Sequence, residues 1–354
     1  MRTHRLVLIV SMLWIPVVPG WAQQQPAVGS MPSRRFEKIA DGVYYATSTG
    51  SMSVGANSCI VVNDKDVFVL DPGESPATAR ALVEDIRTIT DKPIRFVANS
   101  HFHFDHSHGN QIFGPDVMII APDRNYDRLS GHLGNVLQQQ AYATQAAPAL
   151  LQQRLDALKA QPPATDAQQL ATQKRQIAAL ELRITQEKEI QPTPANLTFS
   201  TSLTIHGGSH EIQLLYLGRG HTDTDLFVYL PRERVVCTGD MMESGLSYMP
   251  DAWVNEWPAA LEKLAALDFD TVLPGHGTPF KGKEKIRAFQ AYLVDLQKQV
   301  DALRRQGLSP EEAVKRIDLS SHAADWPQSR SINPDIRAVQ RIYDVAANPN
   351  APLR

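Results

Sequence analysis

The hydrophobic and polar positions divide the chain into four stretches of different character. An apolar run, Leu6 to Val18, follows the basic residues Arg2 and Arg5 and gives way to a polar stretch from Gln23 to Ser33. The run is shorter than the roughly 20 residues that cross a bilayer. It fits the apolar segment of an export signal, with Gly20 and Ala22 at the −3 and −1 positions of a cut after Ala22. The expected organisation is a signal peptide over 1–22, a linker over 23–35 and a periplasmic or secreted chain without stable membrane insertion after cleavage.

From Phe36 to about Pro122, short apolar runs alternate with turns. Val43–Thr47, Cys59–Val62 and Val67–Leu70 predict a β-meander that closes on Asp71-Pro72-Gly73, with a Gly/Ser/Met loop over 48–58. Ala81, Leu82, Ile86 and Ile89 recur at helical spacing over Thr78–Ile89, and Ile94–Ala98 is again a strand. Between Asn125 and Gln191 the chain turns to Ala, Gln and Leu. Leu151, Leu155 and Leu158 lie before Pro162-Pro163 and Leu170, Ile177, Leu180 and Ile184 after it, which predicts an inserted antiparallel helical hairpin restarted by a Thr165/Gln168 capping box. Strand patterns return at Leu197–Ile205, Glu211–Leu217, Leu226–Leu230, Val235–Thr238 and Thr271–Leu273, with a helix over Pro258–Leu267. Helices are predicted over Glu284–Arg305, Pro310–Ile317 and Pro334–Val345. The fold class is α/β, in the mixed α+β sense, with a domain over 36–290 that contains the insert at about 125–191 and a C-terminal helical extension over 291–354.

Composition narrows this little. Of 354 residues, 35 are Lys or Arg and 38 Asp or Glu, a net charge of −3, so no global positive field gathers nucleic acid or anionic lipid. The small-molecule substrate expected of the chain follows from its site chemistry and not from this balance. Cys59 and Cys237 each lie in a β-branched run and read as two buried thiols, since nothing in the sequence brings them together. The hairpin offers a face for pairing with a second copy or a cover for an active site, and both readings stand.

The chemistry is concentrated in four segments. After the strand Ile94–Ala98 come His101, His103, Asp105 and His106, three imidazoles and a carboxylate within six positions. Nitrogen and oxygen donors of this kind suit zinc, manganese or iron. His221, Asp240 and His276 follow, each beside glycine at a strand-to-loop transition. Asp71, Asp223 and Asp225 are placed to orient the ligand histidines. Met52, Tyr248 and Trp253 are candidates for substrate contact, with Met249 and Trp257 beside them, and His108, His132, His206, His210 and His322 read as surface histidines.

The series His101-x-His103-x-Asp105-His106, then His221, Asp240 and His276, resembles the metallo-β-lactamase-fold hydrolase superfamily over about Phe36 to Phe280, minus the insert. The resemblance implies a four-layer αβ/βα sandwich and two metal ions, taken here as Zn²⁺. His101, His103 and His221 would hold the first, Asp105, His106 and His276 the second, and Asp240 both. Lactamases of classes B1 and B2 carry cysteine at the Asp240 position and class B3 serine. Asp240 is closer to glyoxalase II, lactonase and generic periplasmic members. The activity implied is attack of a metal-bridging hydroxide on an ester, lactone, thioester or amide bond, β-lactams included, with Asp105 as the catalytic proton acceptor. An iron-dependent redox member, such as a persulfide dioxygenase, and a non-catalytic binding protein are the alternatives.

Overall fold

A computed structural model describes residues 32–52, 54–134, 136, 148–329 and 331–353. The expected signal peptide and most of the linker lie outside these residues.

Seven strands form the first sheet in sequence order: β1 (Arg34–Ala40), β2 (Val43–Ser48), β3 (Ser58–Val62), β4 (Val67–Leu70), β5 (Ile94–Ala98), β6 (Met118–Pro122) and β7 (Leu197–Phe199). Pairing is antiparallel from β1 to β4 and parallel from β4 to β7. The second sheet runs β13 (Phe280–Lys281), β12 (Thr271–Pro274), β11 (Val235–Gly239), β10 (Phe227–Leu230), β9 (Glu211–Leu215) and β8 (Ser202–His206), with β11 and β12 parallel.

Side chains alternate between two buried surfaces on each strand, which is why the central strands read as unbroken apolar runs. Cys59, Val61, Phe68 and Leu70 of the first sheet meet Val228, Leu230, Val235, Cys237 and Leu273 of the second in a common core. The alternate positions Ile60, Val67 and Val69 face outward onto Leu82 and Ile86 of helix α1 (Pro76–Ile86). Phe227, Val236 and Val272 face outward onto α6 (Trp257–Ala265) and α7 (Glu284–Arg305), through Leu261, Leu264, Phe289 and Leu293. The layers are helix, sheet, sheet, helix, as the resemblance implies. Two short helices, α2 (Phe104–Ser107) and α3 (Asp123–Leu129), follow β5 and β6 of the first sheet, and a third, α8 (Pro310–Ala313), packs on α7.

The hairpin consists of α4 (Pro148–Ala160) and α5 (Ala167–Glu189), closed on Leu151, Leu155 and Ile184. Its second helix is capped by Asp166, whose carboxylate accepts from the Gln168 and Gln169 backbone N–H groups, so the Thr165/Gln168 box does not form. Ion pairs tie α5 to the body, Arg183 to Glu74 at 2.6 Å and Arg80 to Glu189 at 3.1 Å. One further expectation is corrected. Leu197–Ile205 is two strands in different sheets, β7 and β8, because the chain crosses from one sheet to the other at Ser200-Thr201. Cys59 and Cys237 are buried free thiols, as expected, and although far apart in sequence they lie in the same inter-sheet core. A C-terminal helix, α9 (Ile336–Ala347), packs Val339 and Ile342 into the outer cluster of the second sheet. Among the described residues no helix is long and apolar enough to cross a membrane.

Phe68 is fully buried between the sheets, whereas Leu182 on α5 is 57% exposed. Phe68→Ala is expected to lower the unfolding free energy by about 3–5 kcal/mol, from the lost transfer energy plus the cavity. Leu182→Ala should stay within about 0.5 kcal/mol. Urea denaturation of both variants checks this, and near-equal midpoints would contradict the layer assignment.

Candidate metal centre

Strand ends gather the seven residues at one edge of the sandwich. His101 and His103 follow β5, Asp105 and His106 lie on α2, His221 stands between β9 and β10, Asp240 directly follows β11, and His276 comes two residues after β12. His101, His103, His221 and Asp240 form one cluster of metal-ligand spacing and Asp105, His106 and His276 a second, with donor atoms within 4.8 Å of one another in each. Gly275 is required here, since a Cβ at that position would collide with the Asp240 carboxylate.

Asp240 faces both clusters. Its Oδ2 lies 3.8 Å from His101 Nε2, 3.6 Å from His221 Nε2 and 3.2 Å from His276 Nε2, while Oδ1 lies 3.4 Å from His106 Nε2. His103 Nδ1 is 3.1 Å from His221 Nε2, and Asp105 Oδ2 is 3.2 Å from His276 Nε2 and 3.6 Å from His106 Nε2. Around a tetrahedral zinc ion with bonds of about 2.0–2.1 Å, neighbouring donors stand about 3.3–3.4 Å apart. The observed separations bracket that value. Three inward-facing atoms, His101 Nε2, His106 Nε2 and Asp240 Oδ1, are buried with no hydrogen bond. Buried polar atoms are seldom left so, and the donor set therefore fits a pair of cations.

The outer ring nitrogens of His101, His103 and His106 are held by the protein, whereas His221 Nδ1 is buried without a hydrogen bond. His103 Nε2 contacts Asp251 Oδ2 at 2.9 Å and His106 Nδ1 contacts Asp71 Oδ2 at 2.8 Å, which places the hydrogen on the outer nitrogen and the lone pair toward the centre. The Ser100 hydroxyl lies 3.0 Å from His101 Nδ1 and 3.2 Å from His106 Nδ1. Asp71 holds its position at φ 60, a left-handed conformation that few non-glycine residues adopt.

Electrostatics divide the two clusters. Burial, and then the neighbouring His106 and His103 rings, hold His101 well below the usual histidine range, and burial brings His221 down to about 3. Burial also opposes charge on His106 and His276, yet Asp240 and Asp105 hold both well above that range. Burial opposes charge on Asp105 and Asp240 in turn, and His106 and His276 keep both carboxylates below their ordinary values. One half thus offers neutral nitrogen donors, and the other balances two carboxylates with two imidazolium rings whose protons a cation would replace. Glu243, half-buried three residues after Asp240, is pushed up to about 8 by burial, with Asp240 and Asp105 adding to it.

Several expected roles change. Of the three aspartates placed beside ligand histidines, Asp71 alone bonds one. Asp223 is buried in ion pairs with Arg128 at 2.7 Å and with Arg124, and Asp225 accepts from the Thr222 N–H and hydroxyl, so both brace the turn that carries His221. Asp251 was not anticipated, because nothing near it in sequence resembles a ligand motif. Trp253, Trp257 and Met249 are buried in core clusters rather than lining an opening. Tyr248 does lie at the centre, its ring 5.8 Å from that of His103 and 6.2 Å from that of His221. Met52 is half-buried, and its loop reaches the site through Gly55, which packs against Asp105 and Glu74. His108 and His210 are buried, His210 against Glu233 at 2.7 Å, and His322 pairs with Asp295, contrary to their reading as surface residues.

Comparison with known proteins agrees with this geometry. Residues 52–276 match the family model described as the metallo-beta-lactamase superfamily. A linear primary-alkylsulfatase of Pseudomonas sp. (strain ATCC 19151) is 25% identical over 295 residues, 78% of this chain and 53% of that protein. A metallo-beta-lactamase type 2 of Bacillus sp. (strain 170) is 30% identical over 83 residues, 22% of this chain and 32% of that protein. The chain spans about half the length of the first relative and about a third of the second. In fold it is similar to a metallo-beta-lactamase of Erythrobacter litoralis, with a TM-score of 0.51 and 17% identity over 75% of this chain and 98% of that one. Since the matched stretch holds the strand ends and runs to His276, the last of the seven residues, the chain belongs to the metallo-beta-lactamase superfamily.

Proposed function

We propose that this chain is a dinuclear zinc hydrolase in which Asp240 serves both ions, with His101, His103 and His221 completing one site and Asp105, His106 and His276 the other. The observation that carries this reading is the position of Asp240, whose two oxygens face the two clusters at 3.2–3.8 Å. Two such ions supply an activated water at neutral pH and a positive charge for the oxygen of the attacked bond. The protein's own groups do the rest. Asp251 and Asp71 fix the tautomers of His103 and His106, Asp105 orients the attacking water and takes its proton, and Tyr248 walls the three-histidine side.

The bond cleaved is read as an ester-type bond, since the set of nitrogen and oxygen donors contains no thiolate at the shared position. A sulfate ester is a second reading, favoured by one finding: similarity to the alkylsulfatase covers 295 residues, more than the stretch from 52 to 276.

The test is metal analysis of the purified chain together with turnover of an aryl ester, a lactone, a glutathione thioester, a chromogenic cephalosporin and a linear alkyl sulfate. Expected are about two zinc ions per chain, loss of turnover on chelation and its return with zinc. Iron in place of zinc, or a full metal complement with no turnover on any of the five, would sink the proposal. Asp240→Asn should retain the fold by circular dichroism and hold at most one zinc ion. Asp105→Asn is expected to lower kcat by about 10²–10⁴-fold, and an unchanged kcat would remove Asp105 from proton transfer.

A further inference from the structure

Helix α9 and the residues after it lie beyond the stretch that matches the family model, yet they reach back to the metal centre. The connection passes through Arg341, which is 2% exposed. Its Nε donates to the Ala252 carbonyl at 3.3 Å, and its Nη1 to the carbonyls of Ala351 and Pro352 at 3.1 and 3.0 Å. The guanidinium carbon stands 4.2 Å from the Trp253 ring centre, and that of Arg219 stands 5.0 Å from the same ring. Trp253 is fully buried, donates from its indole to the Pro349 carbonyl at 3.1 Å and from its backbone to the Gly220 carbonyl at 2.8 Å. Arg219 also donates to Pro349, at 3.0 Å.

Two of these bonds, Arg341 to Ala252 and Trp253 to Gly220, end one residue from a group that shapes the three-histidine cluster. Ala252 adjoins Asp251, the carboxylate on His103, and Gly220 adjoins His221. Taking a guanidinium out of water is costly unless its hydrogens find acceptors and its charge finds partners. Here three carbonyls accept from Nε and Nη1 while Nη2 is buried without an acceptor, and Asp251 leads Asp223 and Asp344 among the carboxylates that favour the charge against burial.

We infer that Arg341 is a positioning residue which, through Ala252 and Trp253, holds Asp251 on His103 and the His221 turn in register, and so sets metal affinity in the three-histidine half of the site. This rests on the dinuclear reading above. It makes the C-terminal segment part of the centre rather than a cover for the outer helices. The effect should be confined to one ion, because the described contacts of Arg341 and Trp253 lead to His103 and His221 and not to Asp105, His106 or His276.

The experiment is zinc titration of the metal-free full chain against a chromogenic chelator, for wild type, R341M, R341K, D251N and the double variant R341M/D251N, with the thermal midpoint of each metal-free protein. R341M should weaken one zinc by about 10–100-fold, the range for loss of a group that orients a ligand histidine, and leave the other unchanged. R341K should recover part of the loss, and R341M should cost little more once D251N is present. Should R341M fail to fold, removal of residues 351–354 takes away the tail carbonyls while leaving α9 whole, and the same one-ion loss is expected. Both zinc ions binding as in wild type, or both weakening together with the thermal midpoint, would overturn the inference. A wild type that binds fewer than two zinc ions overturns the dinuclear reading and this one with it.

Discussion

The arrangement depends on one buried carboxylate. Asp240 is 5% exposed and lies within 3.8 Å of four imidazole rings that come from both sheets. A carboxylate removed from water needs positive charge close by. Of the four rings, His106 and His276 are the two whose charge Asp240 and Asp105 favour against burial. His101 and His221 touch the same carboxylate but are pressed toward neutrality by burial and by the neighbouring His103 and His106 rings. A cation among the three histidines would therefore add charge where the protein provides none, and a second would displace protons.

The fold serves this carboxylate by bringing strand ends together. β4, β5 and β6 are parallel, as are β11 and β12, so Asp71, His101, Asp240 and His276 emerge in one direction at one edge. The inter-sheet core behind them, from Phe68 to Leu273, fixes the separation of the two sheets. A close-packed interior of this kind moves little when a single ligand is lost, which is why substitutions at the centre and in the core are expected to be separable.

Much of this was legible in the sequence, and the exceptions have physical causes. The cluster from His101 to His106 is local, so its density announces itself. His221, Asp240 and His276 become readable because glycine and a preceding strand pattern mark the same kind of turn. Asp251 carries no such mark: its partner, His103, is 148 positions away and the contact exists only once β10, β11 and the loop after them are in place. Cys59 and Cys237 show the same limit, since strand patterns reveal which residues point inward but not which strand of the facing sheet they meet. Asp223 and Asp225 sit in the right place along the chain, but arginines on α3 and the Thr222 backbone claim their oxygens first. Leu197–Ile205 reads as one strand because apolar alternation continues across the step between sheets.

The two additions to the core meet it in different ways. Among the described residues, the hairpin meets the centre's surroundings through the ion pair of Arg183 with Glu74, a residue that also packs against Gly55 beside Asp105. That contact is on the side of the second cluster. The C-terminal helix approaches from the opposite side, through Arg341 to Trp253 and through Arg337, whose guanidinium carbon lies 5.7 Å from the Tyr248 ring. Tyr248 in turn lies against His103 and His221. Each half of the centre is thus braced by a different segment outside the common strands. Because one addition bears on the Asp105, His106 and His276 cluster and the other on the three-histidine cluster, a change in either would reach one half of the centre first, while Asp240 faces both.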